Sequence, residues 1–444
     1  MQQALRFGDS AMATVSAFEH QPIPLVGEGV LLREVHLRQL ERLNRQAGVD
    51  LIQLGYKQLR ATSYVGVVQL GNVTIQVLPK VDATGRDDAK DPASVDSAVA
   101  NLLWMLVYAG ELPIHESEVA SLLKRRGSLF EVLVRVFCER LTEQLERGFY
   151  RTYQHQEDTL PVLKGRWLLS QQLRQQPLLR DRFLVSYDEF AEDNPLNRVF
   201  CYTVHHLWHL TRDAGNRRRL DVLRMWYDRV TLLTHISAQD LDKVTFTRLN
   251  AAYHPVFNLA CTFLNQESLQ LRTGRTEAFT FLFDMNVLFE RFVAGFLRRY
   301  RQQALPEGLQ SCEILSQGVG EPRWLAWTQP GGGRPKFRLK PDLLLRRRDR
   351  TIAMVIDTKY KTHVAIQEAD AYQMHAYATR YKCPDVLLLY PESLMTPQKL
   401  YIESPLGGPH IRLRAQTIGL RYNLRSPDGR EALANELAWA LAGE

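Results

Sequence analysis

A mixed α/β architecture is what this sequence predicts: a region of β-hairpin and helices over 25–270, then an α/β domain with a mixed sheet over 275–444. Three observations carry that expectation. Two alternating apolar runs flank a Gly-Asn pair near residue 71, and amphipathic helices with readable caps fill the middle of the chain. From about residue 276 onward, helix-period stretches bracket a series of strand-period stretches.

Residues 1–24 carry no periodic pattern and are expected to be partly disordered. A short helix is predicted over 36–47, then strands over 63–70 and 73–78. Gly71-Asn72 joins the two strands, since both residue types tolerate the positive φ of a tight hairpin turn. Val73, Ile75 and Val77 share one face, and Pro79 stops the ladder. The polar, Gly/Pro-broken stretch 82–94 reads as a flexible loop.

A helix follows over 128–147. Ser128 and Glu131 have capping-box spacing, Phe130, Leu133, Val134, Phe137, Cys138, Leu141 and Leu145 form one apolar face, and Gly148 stands where a C-cap is expected. Asn194-Pro195 opens another helix, with further helices over 218–229 and 255–268. The remaining order reads helix 282–301, strands 311–317, 323–328, 337–346 and 351–358, helix 365–381 and strand 385–390. Tyr and Trp residues between 101 and 230 mostly share helical spacing with Leu and Val and read as core.

Composition narrows the class. At 444 residues the chain is long enough for two or three domains, and it is 45% hydrophobic with no low-complexity tract. Lys and Arg number 56 against 49 Asp and Glu, a formal charge of +7 that suits a polyanionic partner without proving one. The five cysteines lie far apart without a C-x-x-C pair, so zinc ribbons, cysteine-held clusters and a disulfide framework are not expected. With no signal-peptide pattern, and an apolar run over 98–109 short of the ~20 residues a span needs, the chain reads as cytoplasmic. The glycines over 330–337 lack P-loop spacing, so no nucleotide is expected on this chain itself.

The chemistry concentrates in Lys340-Pro341-Asp342 and Ile356-Asp357-Thr358-Lys359. Asp357 and Lys359 are two apart on a predicted strand and project from one face. If the preceding turn centres on Asp349-Arg350, Asp342 lies directly across from Asp357, about 5 Å apart at Cβ. Facing carboxylates repel unless a cation separates them, so Asp342 and Asp357, with the Thr358 carbonyl, are candidate ligands for Mg²⁺. Lys359 would orient the attacking water and offset charge on a phosphate, giving phosphodiester hydrolysis. Gln373 and Tyr377 share a face of the following helix as DNA-proximal or supporting groups, and Glu290 is a candidate additional acid. Arg346, Arg347 and Arg348 read equally as phosphate guides or as a solvated hairpin end, and His254 and His375 as structural residues.

The pattern P-D…D-x-K…Q-x-x-x-Y on helix, strands, helix and strand resembles the PD-(D/E)xK nuclease superfamily. More widely the chain resembles the McrC family, the nuclease subunit of the McrBC modified-cytosine restriction system. The segments that carry this likeness are 64–81, 101–112, LKGRW at 163–167, YDEFAEDNPLNR at 187–198, NVLFERFV at 286–293 and 357–378. It covers roughly 60–395; an N-terminal extension, the loop 82–94 and the residues after 395 depart from it. The resemblance implies a Mg²⁺-dependent endodeoxyribonuclease paired with a McrB-like hexameric AAA+ GTPase, acting on DNA that carries a modified base and serving antiviral defence. It further implies that the hairpin region around 60–80 and neighbouring loops insert into the hexamer and stimulate GTP hydrolysis, so that 25–270 is the partner-binding region. A regulatory adaptor with cleavage secondary, and a stand-alone repair-type nuclease, remain as alternatives.

Overall fold

The computed structural model describes residues 13–24, 26–27, 30–55, 58–71, 73–80, 89, 91–112, 114, 119, 129–175, 181–267, 271–273, 276–329, 332–361, 365–391, 397–403 and 410–443. They form two compact units, Met1–Leu129 with Gln266–Glu444, and Phe130–Asn265.

The first unit opens with β1 (Ala13–Phe18), α1 (Glu34–Ala47), β2 (Tyr64–Leu70) and β3 (Val73–Leu78). The disorder expected through residue 24 therefore gives way to a strand, because β1 runs parallel to β3 from Ala13↔Val73 to Phe18↔Leu78. Helix α1 ends at Gly48, whose φ of 68° supplies the left-handed cap. Strands β2 and β3 form the predicted hairpin, with Gly71 at φ 59°, while Asn72 lies outside the described residues. Every residue from Val65 to Leu70 and from Val73 to Leu78 is buried. A hairpin flanked on both edges and covered on both faces is sheet interior, which corrects the expectation that it projects as an insert. Then comes α2 (Pro92–Tyr108), capped by the Asp91 carboxylate accepting from Ala93 N and Ser94 N. The predicted loop 82–94 thus ends at Asp91; residues 81–88 and 90 lie outside the described residues.

The second unit is built from α3 (Leu129–Glu146), β4 (Thr152–Leu160), β5 (Phe183–Ala191), α4 (Pro195–Leu210), α5 (Ala214–Trp226) and α6 (His254–Glu267). The apolar face of α3 is buried as predicted, with Phe137 against Phe200 and Phe263. Ser128 of the expected capping box lies outside the described residues; Glu131 accepts from Thr211 Oγ1, Arg212 N and Asn216 Nδ2. Asn194 caps α4 by accepting from Asn197 N, and the His254 ring packs edge-on against Phe246. Strands β4 and β5 pair antiparallel over nine positions and were not anticipated. Their sheet exposes Tyr153 and Trp167, so the expectation that the Tyr and Trp residues before residue 230 are core fails here, and Phe190 is exposed beside them.

The chain re-enters the first unit through β6 (Thr276–Asp284), which pairs antiparallel with β2 from Ala278↔Leu70 to Asp284↔Tyr64. This pairing joins the N-terminal hairpin to the C-terminal residues, so the compact units do not follow the linear division at 270–275 that the sequence suggested. It also shortens the helix expected from 282 to α7 (Met285–Arg299), capped by Asp284. Phe279, Phe281 and Phe283 alternate at strand period up to that cap.

Then follow β7 (Glu313–Ser316), β8 (Arg323–Gln329), β9 (Gly332–Leu339), β10 (Leu343–Arg346), β11 (Ile352–Thr358), α8 (Glu368–Tyr381) and β12 (Asp385–Pro391). The single strand expected over 337–346 is split at Lys340-Pro341-Asp342, where proline cannot donate to a ladder. After residue 395, where no element was assigned, come β13 (Gln398–Ile402), β14 (Ile411–Ile418) and α9 (Pro427–Ala442). A six-stranded mixed sheet results, ordered β7-β10-β11-β12-β14-β13, with β11, β12 and β14 parallel.

Gly66 marks the tightest point of the β2–β6 contact: at its φ of 136°, a Cβ would lie 2.1 Å from the Phe281 carbonyl oxygen. Gly66→Ala is expected to cost about 3 kcal/mol or more, through positive φ and a displaced ladder. Urea denaturation checks this; an unchanged midpoint would show that the two strands adjust freely.

Candidate active site

Register decides the site. Strands β10 and β11 pair Leu343↔Ile356, Leu344↔Val355 and Leu345↔Met354, and one further step sets Asp342 across from Asp357. The turn itself centres on Asp349, with Arg347 N donating to Thr351 O at 2.8 Å and Arg350 at φ 66°. That is half a residue from the predicted centre. A bulge between Leu345 and Arg346 absorbs the difference and restores the register.

Both carboxylates sit where water is scarce. Asp357 is 2% exposed at the end of the central strand. Thr358 N and Thr358 Oγ1 each donate to Asp342 Oδ2 at 2.7 Å, fixing that carboxylate. Burial first, then the nearby Asp342 charge, pushes Asp357 up to about 7, and Lys359 only partly opposes this. Burial likewise raises Asp342 to about 6, against the Thr358 hydrogen bonds and with help from the Glu290 charge. Glu290 is raised by burial too, although Gln317 Nε2 donates to its Oε1 at 3.2 Å.

Lys359 Nζ lies 2.6 Å from Asp357 Oδ2, an ion pair whose direction falls short of a hydrogen bond. The same ammonium donates to Gln373 Oε1 at 2.9 Å and stands 3.4 Å from Asp370. Burial works to lower the Lys359 pKa, but the charges of Asp357 and Asp370 outweigh it and the net shift is upward. Gln373 Nε2 donates to Tyr377 Oη at 2.8 Å and is 3.4 Å from Asp357 Oδ1.

All six residues singled out from the sequence, Glu290, Asp342, Asp357, Lys359, Gln373 and Tyr377, therefore converge. Tyr377 is 4% exposed, so it supports Gln373 from beneath and does not present a surface to DNA. Asp370 was missed. It is buried and also holds Lys361 Nζ at 3.1 Å. Its signal was in the helix, since 370, 373, 374 and 377 follow one face. Arg346 is engaged by Glu313 and Glu321 at 2.6 and 2.8 Å, which favours the ion-paired reading of that hairpin end over a phosphate guide.

Among the described residues no three His, Cys, Asp or Glu side chains form a ready-made metal cage. Two facing carboxylates held above their usual pKa, one with a poorly satisfied buried oxygen, nonetheless match what a hard divalent cation relieves when backbone and water oxygens complete its shell.

Fold and site together define a mixed α/β protein whose C-terminal sheet presents an acidic cluster with one lysine at a strand end. The chain belongs to the McrBC 5-methylcytosine restriction system component family, whose model matches residues 59–391. No curated protein sequence is significantly similar. Among solved structures the fold is similar to a chain in a half-complex of Thermococcus gammatolerans McrB AAA+ hexamers with bound McrC. The TM-score is 0.65 at 22% identity, covering 96% of this chain and 99% of that one. A chain of the Thermococcus gammatolerans McrBC complex matches with a TM-score of 0.51 at 25% identity, over 65% of this chain and 88% of that one. Among the described residues no helix is long and apolar enough to cross a membrane.

The raised carboxyl pKa values set a pH dependence. A folded state that binds protons more tightly than the unfolded chain is most stable below the unfolded pKa, near 4, and loses that stability as pH rises through about 6 to 7. In EDTA, Asp357→Asn is expected to flatten this decline and to gain on the order of 2 kcal/mol over wild type at pH 8. Denaturation at pH 5 and pH 8 decides it; a variant less stable than wild type at pH 8 contradicts the assignment.

Proposed function

We propose that this chain is the Mg²⁺-dependent endodeoxyribonuclease subunit of a McrBC-like restriction complex, working through a PD-(D/E)xK-type site. The observation that carries the reading is Asp342 set across from Asp357 in a water-poor strand end, with Lys359 against Asp357. Asp342 and Asp357 would hold the cation, with the Thr358 carbonyl beside them. When bound it supplies Lewis acidity and a water of lowered pKa.

The chain's own groups do the rest. Thr358 locks the Asp342 carboxylate in orientation through two hydrogen bonds. Gln373 Oε1 accepts from Lys359 Nζ, and Asp370 keeps that ammonium protonated, so a fixed positive charge faces the position of a scissile phosphate. Glu290 adds a half-buried carboxyl that accepts a proton more readily than a fully exposed one.

A partner is part of the reading. The structural neighbours are McrB AAA+ assemblies with McrC, and the family likeness implies a GTP-hydrolysing hexamer here too. In the second unit, the β4–β5 sheet carries Tyr153 at 71% and Phe190 at 56% exposure, with ring centroids 5.1 Å apart. Val162, Leu163 and Leu173 are exposed in the same unit. The exposed, mutually packed Tyr153 and Phe190 rings support a protein-contact surface on this sheet. This surface, and not the buried hairpin β2–β3, is the one we assign to the partner.

Mixed with its AAA+ partner, GTP, Mg²⁺ and modified plasmid, wild type is expected to cut. Asp357→Ala and Lys359→Ala should cut on the order of 10³-fold more slowly while still stimulating GTP hydrolysis. Equal cutting by Asp357→Ala would remove the active-site assignment and leave the activator role. Tyr153→Ala with Phe190→Ala is expected to weaken partner binding at least tenfold, about 1.4 kcal/mol, with an unchanged unfolding midpoint. Titration against labelled partner measures this, and wild-type affinity would clear the β4–β5 sheet of that role.

A further inference from the structure

Helix α7 does more than carry Glu290. Two turns beyond that acid it presents Arg298 and Arg299. These arginines line a cleft of about 620 Å³ bounded by α7, by the turn Tyr108–Gly110 that ends α2, and by Ser316 and Gln317. Its walls are held at a fixed distance, because a Cβ on Gly295 would lie 1.7 Å from the Tyr108 carbonyl oxygen. The helix and the turn meet backbone to backbone there.

Arg298 donates to Ser316 Oγ and to Ile314 O, both neutral, and among the described residues no carboxylate pairs with it. Partial burial lowers its pKa, and the residue stays exposed to solvent at the cleft mouth. Neighbouring arginines are matched: Arg291 bonds Glu111, and Arg346 bonds Glu313 and Glu321. The cleft's other end is equally specific. Gln317 donates from Nε2 to Glu290 and from its backbone N to Asp342 O at 2.9 Å, so the floor of the cleft runs into the carboxylate cluster.

We propose that this cleft holds the sugar–phosphate backbone of the DNA strand being cut, with a phosphate adjoining the scissile one on Arg298 and Arg299 at the mouth. The proposal rests on the nuclease reading of the neighbouring site. A guanidinium presents a planar fork that fits phosphate oxygens, and a half-dried cation gains most from such a partner. A free small anion would meet the Glu290 carboxyl at the inner end. A strand uses both ends, anchored at the arginines and hydrolysed at the acids. Arg298 also suits the C-terminal end of the α7 dipole, and a purely structural role is the reading to be separated.

The test is binding of a short fluorescein-labelled DNA duplex by the full chain across a salt series, with Ca²⁺ replacing Mg²⁺. Arg298→Gln is expected to weaken binding about tenfold and to reduce the slope of log affinity on log salt by about one, since one phosphate contact is lost. Arg298→Lys should keep the slope and recover part of the affinity, which a role confined to packing would not produce. Wild-type affinity and slope in Arg298→Gln overturn the proposal, as does a wild type that binds no DNA. Should Arg298→Gln fail to fold, Arg298→Lys and Arg299→Gln decide: affinity and slope unchanged in both overturn it. Asp357→Asn keeps the two readings apart. If that variant binds DNA but does not cut while Arg298→Gln binds normally, only the cleft is wrong. If Asp357→Asn still cuts, the nuclease site is misassigned, and the salt slope of the arginine variants still reports whether the cleft takes a phosphate.

Discussion

Two carboxylates set across from each other in a strand end with little water repel, and the β10–β11 register sets Asp342 across from Asp357. Much of the surrounding structure can be understood as managing that repulsion. The bulge at Leu345/Arg346 keeps the pair in register despite a turn centred on Asp349. Thr358 fixes one carboxylate with two hydrogen bonds, and Lys359 neutralises part of the other. Gln373 and Tyr377 hold the lysine from the next helix, and buried Asp370 keeps it charged. What is left over is a pair of carboxyl groups that burial and mutual repulsion hold above the usual carboxylate range.

Strand pairing between distant residues supplies the frame. Because β6 pairs with β2, and β1 with β3, the first and last parts of the chain share one unit, while 130–265 is folded on its own. Helix α7 leaves β6 directly and carries Glu290 toward the acids and Arg298 into the adjacent cleft. A single helix thereby borders both the acidic cluster and the cleft beside it. Tyr360, just beyond β11, donates to the buried Glu19 carboxylate, and Lys80 N donates to the same oxygen. The N-terminal residues thus brace the end of the strand that bears Asp357 and Lys359.

Among the interior groups, the chain separates packing from chemistry by burial. Apolar residues fill both faces of β11 and β12, so the sheet is dry up to the point where Asp357 emerges. In the second unit the reverse holds, and β4 and β5 keep aromatic groups exposed. Exposed aromatics on a short sheet are a cost to a lone protein that contact with a partner removes.

Local patterns in the sequence were enough to place the β2–β3 hairpin, α3 with its Gly148 cap, α4 behind Asn194-Pro195, and the site residues Asp342, Asp357, Lys359 and Gln373. Each rests on short-range rules of period, capping and alternation, which a few neighbouring residues settle. Other features were illegible because they depend on residues far apart. That β1 is ordered follows from its pairing with β3, and that 276–284 is strand follows from its pairing with β2. Strands β13 and β14 exist as parts of a sheet whose centre lies upstream. The hairpin at 64–78 reads the same from sequence whether it projects or is enclosed; only the strands on either side of it decided that it is enclosed. By itself the sequence determined which acidic and basic groups come together and that Asp342 and Asp357 lie opposite one another. The tertiary structure alone decided which surfaces remain open around them, because burial is a property of the packed whole and not of any segment.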